Sequence, residues 1–201
     1  MAKGRLDIEE VPVVVEQVMR EDGFQPNACI AAARITTIAL TRLGVPGARA
    51  VACQFDAVTP ATLEMLESAS ARGIGPHEFS DTEKDEWSRR GAVWVSLVDE
   101  SPGRGYSGHV VTLLGDDWLI DPTLTQASRP ERGMPLGPIA IRLEGDPSDA
   151  VSVQLRSGAT ILYQLDPART DFRAAPDWRE VPRMSGTINR VVQRLRGGAR
   201  I

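Results

Sequence analysis

Cys29 has a sequence context that is typical of a thiol nucleophile. It stands at the start of an apolar run, residues 28–43, whose only charged side chains are two arginines, and Asn27 lies just before this run. The pattern predicts a buried helix with Asn27 as its N-cap and Cys29 in its first turn. Unpaired amides and the helix dipole favour negative charge there, and helix N-termini lower the pKa of cysteine thiols. Cys29 is therefore the candidate nucleophile.

The two histidines differ in their surroundings. His77 lies in the Gly- and Pro-containing run GIGPHEFS, which is typical of a surface loop. His109 follows the loop-like run SPGRGYSG and opens the apolar run HVVTLL, which predicts a strand with the imidazole at its first position. A nucleophilic thiol needs a base, and His109 is the candidate.

A carboxylate that orients His109 is expected on the neighbouring strand. Residues 118–121, WLID, predict a strand that a short turn joins to the strand at 109–114. Asp121 ends this second strand, and paired strands lie about 4.8 Å apart, so its carboxylate comes within reach of the imidazole. The alternatives are three other aspartates near the hairpin, Asp99, Asp116 and Asp117. Asp116 and Asp117 are more typical of turn residues.

Further residues are candidates for supporting roles. The backbone amide of Cys29 is a candidate donor to an oxyanion, and the side-chain amides of Gln25 and Asn27 are others, although Asn27 is also needed as the cap. Trp118 either walls a substrate cleft beside the hairpin or packs in the core. Cys53 lies in the middle of a predicted strand and is interpreted as a buried structural residue.

The elements that must position these residues follow a helix-then-sheet order, which predicts the α+β class. Predicted helices cover residues 6–20, 28–43, 60–72, 80–90 and 186–196. Predicted strands cover residues 48–55, 92–98, 109–114, 118–121, 139–143, 151–156 and 160–165, in an antiparallel sheet. We expect one domain over 1–201, with 57–91 as an insertion and 186–201 as a C-terminal helix and tail.

The composition argues against several classes of protein. With 201 residues, of which 42% are apolar and 25% charged, the chain can bury a core without a disulfide or metal. A net charge of −4 argues against a nucleic-acid partner. No run is long enough for a membrane span, and the N-terminal residues lack a secretory-signal pattern.

The cysteine and histidine counts bear on compartment and cofactors. The chain has two of each, which disfavours a four-ligand zinc site, and we predict neither a metal nor a cofactor. Without export, two cysteines indicate reduced thiols and a cytoplasmic location. The sequence leaves the oligomeric state open.

Two motifs resemble the transglutaminase-like cysteine enzymes. The run CIAAARITTIALTRLGVPGARAVACQF resembles their core, in which a Cys begins a buried helix and a Leu-Gly-Val/Ile-Pro-x-Arg turn leads into a strand. The run GHVVTLLGDDWLIDPT resembles their His strand, its turn, and a strand that ends in Asp-Pro-Thr. Together the motifs cover about 45 of the 201 residues. The Val-Val-Thr after the histidine and the long stretch between the motifs depart from the family pattern.

The resemblance implies a papain-like fold with a catalytic triad. Cys29 would be the nucleophile, His109 the general base and acid, and Asp121 the orienting carboxylate, and acyl transfer would pass through a thioester. We expect a cysteine hydrolase that cleaves an amide or peptide bond in a peptide or small amide substrate. The alternatives are an acyltransferase, as in the arylamine acetyltransferases, a transglutaminase-type transfer to an amine, and a catalytically silent binding module on the same scaffold.

Overall fold

Seven strands form one antiparallel sheet in the described part of the chain. The structure is a computed structural model that describes residues 6–98, 106, 108–144, 150–179 and 181–197, with backbone only at 181–183. The strands are β1 (Ala48–Val58), β2 (Trp94–Leu97), β3 (His109–Leu114), β4 (Trp118–Asp121), β5 (Ile139–Arg142), β6 (Val151–Gln154) and β7 (Thr160–Asp166). Their order is β5-β4-β3-β1-β7-β6, and β2 pairs with β1. The helices are α1 (Glu10–Glu21), α2 (Cys29–Arg42), α3 (Pro60–Ala71), α4 (Asp81–Arg89), α5 (Pro176–Arg179) and α6 (Val181–Gly197). The predicted α+β class is confirmed.

The sheet has a helical layer on one face and a second apolar cluster on the other. Successive side chains of a strand point to opposite faces. On β3, Thr112 donates to the carbonyl oxygen of Ala33 in α2 at 3.3 Å, whereas Val111 and Leu113 belong to a separate cluster that includes Phe55 and Tyr163. Every residue of β3 is buried, so this strand lies in the interior with apolar contacts on both faces.

Helices α1, α2 and α6 bury one shared apolar cluster. The predicted start of α6 at residue 186 is wrong, because this helix begins at Val181. Pro182 suggests a helix break, but it occupies the second helical position. A backbone N–H there would have no acceptor within the helix, so the proline costs no helical hydrogen bond.

The predicted N-cap of α2 is also wrong. The N-cap residue is Ala28, and no described side chain caps the helix, so Cys29 is its first residue. Asn27 lies instead in a turn closed by the Ala28 amide, which donates to the Gln25 carbonyl oxygen at 3.1 Å. Pro26 favours the second position of such a turn, and this geometry takes Asn27 out of the capping position.

The segment predicted as an insertion, 57–91, contains the end of β1 and the helices α3 and α4. Helix α4 begins as the sequence predicts, with Ser80 as N-cap and reciprocal hydrogen bonds between Ser80 and Glu83. That the segment is an insertion stays a prediction, as does the single-domain organisation. No helix in the described ranges has both the length and the apolar composition to cross a membrane.

Candidate active site

The hairpin of β3 and β4 brings His109 against Asp121. The register pairs Thr112 with Ile120, which places His109 and Asp121 diagonally on one face of the hairpin. The Nε2 atom of His109 lies 2.9 Å from Oδ2 of Asp121. The two side chains are 1% and 0% exposed, so the contact is shielded from water. Of the alternative carboxylates, Asp116 and Asp117 are exposed in the turn, and Asp99 lies outside the described residues.

Asp121 accepts hydrogen bonds at both of its carboxylate oxygens. Oδ1 accepts from the backbone amide of Thr123 at 2.9 Å and from its hydroxyl at 3.1 Å. Oδ2 accepts from the Tyr163 hydroxyl at 2.9 Å as well as from His109. Burial acts to raise the pKa of Asp121, but the charge and hydrogen bond of His109, with Thr123 and Tyr163, outweigh it and lower this pKa. The carboxylate is therefore a fixed, charged acceptor.

The proton affinity of His109 is set by the same contact. Burial alone would lower its pKa, but the charge of Asp121, the hydrogen bond to it, and the neighbouring Cys29 together raise the pKa of His109 to about 10. The ring also packs against Phe55 and Tyr163, with centroids 5.4 and 6.4 Å away. His109 is thus a base of raised strength whose orientation is fixed on several sides.

Cys29 reaches this histidine from the N-terminus of α2. Its Sγ lies 3.9 Å from the carbonyl oxygen of Gly108, the residue that precedes His109, and Cys29 is one of the groups that raise the pKa of His109. The ring of His109 is on the sheet face away from α2, with Val111 and Leu113. Contact with the thiol is possible because His109 is the first residue of its strand, where the helix start and the strand start meet. The first amides of α2 lack partners within the helix.

Gln126 is a neighbour of His109 that sequence reasoning missed. Its side-chain Nε2 lies 2.8 Å from Nδ1 of the imidazole. It belongs to a short 3-10 helix, Leu124–Ala127, that follows Asp121 directly. The one signal in the sequence for this contact is that Gln126 lies five residues after Asp121, in the loop that follows β4. Such a spacing does not predict the conformation of a loop, so the contact could not be predicted.

Tyr163 and Tyr106 are two further neighbours without a sequence signal. Tyr163 comes from β7, which approaches the site only because both β3 and β7 pair with β1. The Tyr106 hydroxyl donates to the carbonyl oxygen of His109 and lies 3.5 Å from that of Cys53. Burial, with the nearby Cys53 and Cys29, raises the pKa of Tyr106, so this hydroxyl remains a donor.

The second cysteine is buried as predicted. Cys53 is 3% exposed and is a free thiol, as is Cys29. It is the cross-strand partner of His109 in the pairing of β1 and β3. Burial is the main cause that raises the pKa of Cys53, and the neighbouring Asp121 and Cys29 add to it.

Among the described residues, the other candidates from the sequence are not the hydrogen-bond partners of the imidazole, which are Asp121 and Gln126. Gln25 and Asn27 are exposed. Gln25 lines a cavity of about 190 Å³ between the turn before α2 and the loop after β4, together with Phe24 and Thr123 among others. Trp118 packs against the apolar cluster that helices α1, α2 and α6 share, on the sheet face opposite Asp121. His77 is exposed, as predicted.

In the described part of the chain, no group of three or more His, Cys, Asp or Glu side chains is placed to hold a metal ion. No protein-family model, curated protein or solved structure matches this sequence. The chemistry of the site is therefore argued from its own geometry.

Proposed function

We propose that this chain is a cysteine hydrolase that cleaves an amide or peptide bond through a thioester. The observation that carries the proposal is the buried contact of 2.9 Å between His109 and Asp121. The Sγ of Cys29 supports it, because it lies 3.9 Å from the carbonyl oxygen of Gly108, the residue that precedes His109. A nucleophile, a base and a group that orients the base are the three parts that thiol catalysis needs. The papain-like arrangement of the transglutaminase-like enzymes belongs to the same proposal.

Each residue has a defined step in this mechanism. Asp121 accepts from Nε2 of His109, and the raised pKa of this ring favours the form in which Nδ1 holds the proton taken from the thiol. The sulfur of Cys29 then forms a bond to the substrate carbonyl carbon, and the negative charge moves to the carbonyl oxygen. His109 returns the proton to the leaving amine as the carbon–nitrogen bond breaks, and water hydrolyses the thioester.

The start of α2 supports charge development on the carbonyl oxygen. The backbone amide of Cys29 belongs to the first turn, where amides have no partner within the helix, and no described side chain caps this end. Such amides are available to an oxyanion that forms beside the sulfur. Both cysteines are free thiols, and the proposal includes a reducing, cytoplasmic location because the nucleophile must remain unoxidised.

Selective alkylation tests whether Cys29 is an activated nucleophile. Iodoacetamide at mildly acidic pH should label Cys29 rapidly and leave Cys53 unlabelled in the folded protein, as read by mass spectrometry of peptides. In His109→Ala the rapid labelling should be lost, because no base remains for the thiol. His77→Ala is the matched control and should label like the wild type. Slow, equal labelling of both thiols would contradict the proposal.

A further inference from the structure

The cavity of about 190 Å³ lies between the two parts of the chain that supply the candidate catalytic groups. One wall consists of residues from the second half of α1 and of Gln25 and Pro26 in the turn before α2, the helix that begins with Cys29. The other wall consists of residues in the loop that follows Asp121. The cavity therefore adjoins the segment before the nucleophile and the segment after the orienting carboxylate.

Two contacts join the second wall to the base and its carboxylate. Thr123 donates its amide and its hydroxyl to Oδ1 of Asp121 at 2.9 and 3.1 Å. Thr125, which also lines the cavity, directly precedes Gln126. The side-chain amide of Gln126 contacts Nδ1 of His109 at 2.8 Å. This wall thus passes along the ring nitrogen that holds the transferred proton in the proposed mechanism.

The position of this wall assigns the cavity to one side of the scissile bond. His109 returns its proton to the leaving amine, so the amine must come close to Nδ1. The acyl part of the substrate is bonded instead to the sulfur of Cys29. A cavity beside the Nδ1 side of the ring is therefore placed to receive a substituent of the leaving amine.

The lining of the cavity favours an uncharged, apolar group. Glu16 and Arg20 line it, but they form an ion pair at 3.5 Å and so compensate each other's charge. A cavity of about 150 Å³ with apolar walls holds benzene in another protein. At about 190 Å³, this cavity has room for the side chain of a leucine or a phenylalanine. Its apolar side chains are those of Met19, Phe24, Pro26 and Pro122.

We propose that this cavity binds an apolar side chain on the amine side of the scissile bond. The substrate class is then an amide or peptide whose leaving amine carries a group of the size of a leucine or phenylalanine side chain. This inference rests on the proposed function, because it needs an acyl-enzyme on Cys29 and a proton returned by His109. It specifies a part of the substrate that the three catalytic side chains do not select.

The acetyl-enzyme provides a probe of this site. p-Nitrophenyl acetate transfers its acetyl group to the sulfur of Cys29 and releases p-nitrophenolate. An added amine then forms a bond to the acetyl carbon, the carbon–sulfur bond breaks with its electron pair left on sulfur, and the amine proton passes to His109. By microscopic reversibility, the attacking amine occupies the place of the leaving amine. The ratio of N-acetyl product to acetate therefore reports on amine binding and does not depend on the acylation rate.

The experiment compares glycinamide with phenylalaninamide, two amines of similar basicity, as acceptors of the acetyl group. In wild type, phenylalaninamide should react with the acetyl-enzyme about 10²-fold faster at equal concentration, the usual scale for burying such a side chain. Thr125→Phe fills the cavity, so this preference should disappear while acetate still forms. The exposed Thr41 in α2 provides the matched control, and Thr41→Phe should retain the preference. Cys29→Ala measures the uncatalysed reaction, which is subtracted.

A second variant enlarges the cavity and does not depend on the folding of Thr125→Phe. Phe24 lines the cavity, and Phe24→Ala removes its ring. The reaction rate of tryptophanamide relative to phenylalaninamide should therefore be higher in Phe24→Ala than in wild type.

Three results would overturn the inference. They are equal reaction of glycinamide and phenylalaninamide in wild type, a preference for phenylalaninamide that persists in folded Thr125→Phe, and an unchanged rate ratio of tryptophanamide to phenylalaninamide in folded Phe24→Ala. By contrast, a wild-type protein that forms no acetyl-enzyme on Cys29 would refute the proposed function itself.

Discussion

Cys29 and Cys53 both lie beside His109, yet the chain surrounds them differently. Cys29 is the first residue of a helix whose N-terminus no described side chain caps. Cys53 is in the middle of β1, where it pairs with His109 on one side and Leu165 on the other. Its backbone lies within these ladders, and burial and nearby negative charge raise the pKa of its thiol. The two thiols thus differ in their backbone surroundings, because a helix start favours negative charge and the middle of a paired strand does not.

Replacing each cysteine by alanine should give the largest difference in activity between the two sites. Cys29→Ala should abolish acylation by p-nitrophenyl acetate, because no sulfur remains at the helix start. It should change the free energy of unfolding by no more than about 1.5 kcal/mol, since alanine is a small change at this position. Cys53→Ala should retain acylation. Acylation assays check the predicted activities, and denaturant unfolding checks the predicted change in the free energy of unfolding. Retained acylation in Cys29→Ala, or its loss in a folded Cys53→Ala, would reverse the assignment.

Asp121→Asn should reduce the difference in reactivity between the two thiols. An asparagine presents a donor to His109 as readily as an acceptor, so the ring loses its fixed tautomer, and the acylation rate should fall by about 10⁴-fold. Rapid alkylation of Cys29 should be lost as well, while Cys53 stays protected by burial. The exposed Asp117 provides the control, and Asp117→Asn should acylate and alkylate like the wild type. An Asp121→Asn protein that still labels Cys29 rapidly would show that the carboxylate does not orient the base.

The local part of the site could be predicted from the sequence. His109, the turn and Asp121 lie within one hairpin, so strand alternation and the short turn suffice to place a carboxylate beside an imidazole. The apolar run after Cys29 likewise indicates a buried helix and its start to within one residue. These predictions succeed because the relevant contacts join residues that are close in the chain or set by one periodic element.

The remaining parts depend on contacts that no local pattern encodes. Tyr163 reaches Asp121 because β7 pairs with β1, and this pairing joins segments about a hundred residues apart in the chain. Gln126 reaches His109 through the path of a loop. The Asn27 cap is a case in which two local signals compete, because Pro26 favours a turn that ends before the helix begins. Sequence reasoning weighs the residue type of Asn27 but not this competing turn.

The raised pKa of His109 can be tested through the pH dependence of the protein's stability. The pKa of His109 is raised to about 10, while an unfolded histidine titrates near 6.5. Below 6.5 both states are protonated, and the contact with Asp121 contributes fully to stability. As the pH rises toward 10, the unfolded chain loses its proton first, so this contribution declines. Denaturant unfolding should therefore show the stability advantage of wild type over His109→Gln shrinking across this range. A constant advantage for wild type over His109→Gln would contradict the raised proton affinity of the buried ring.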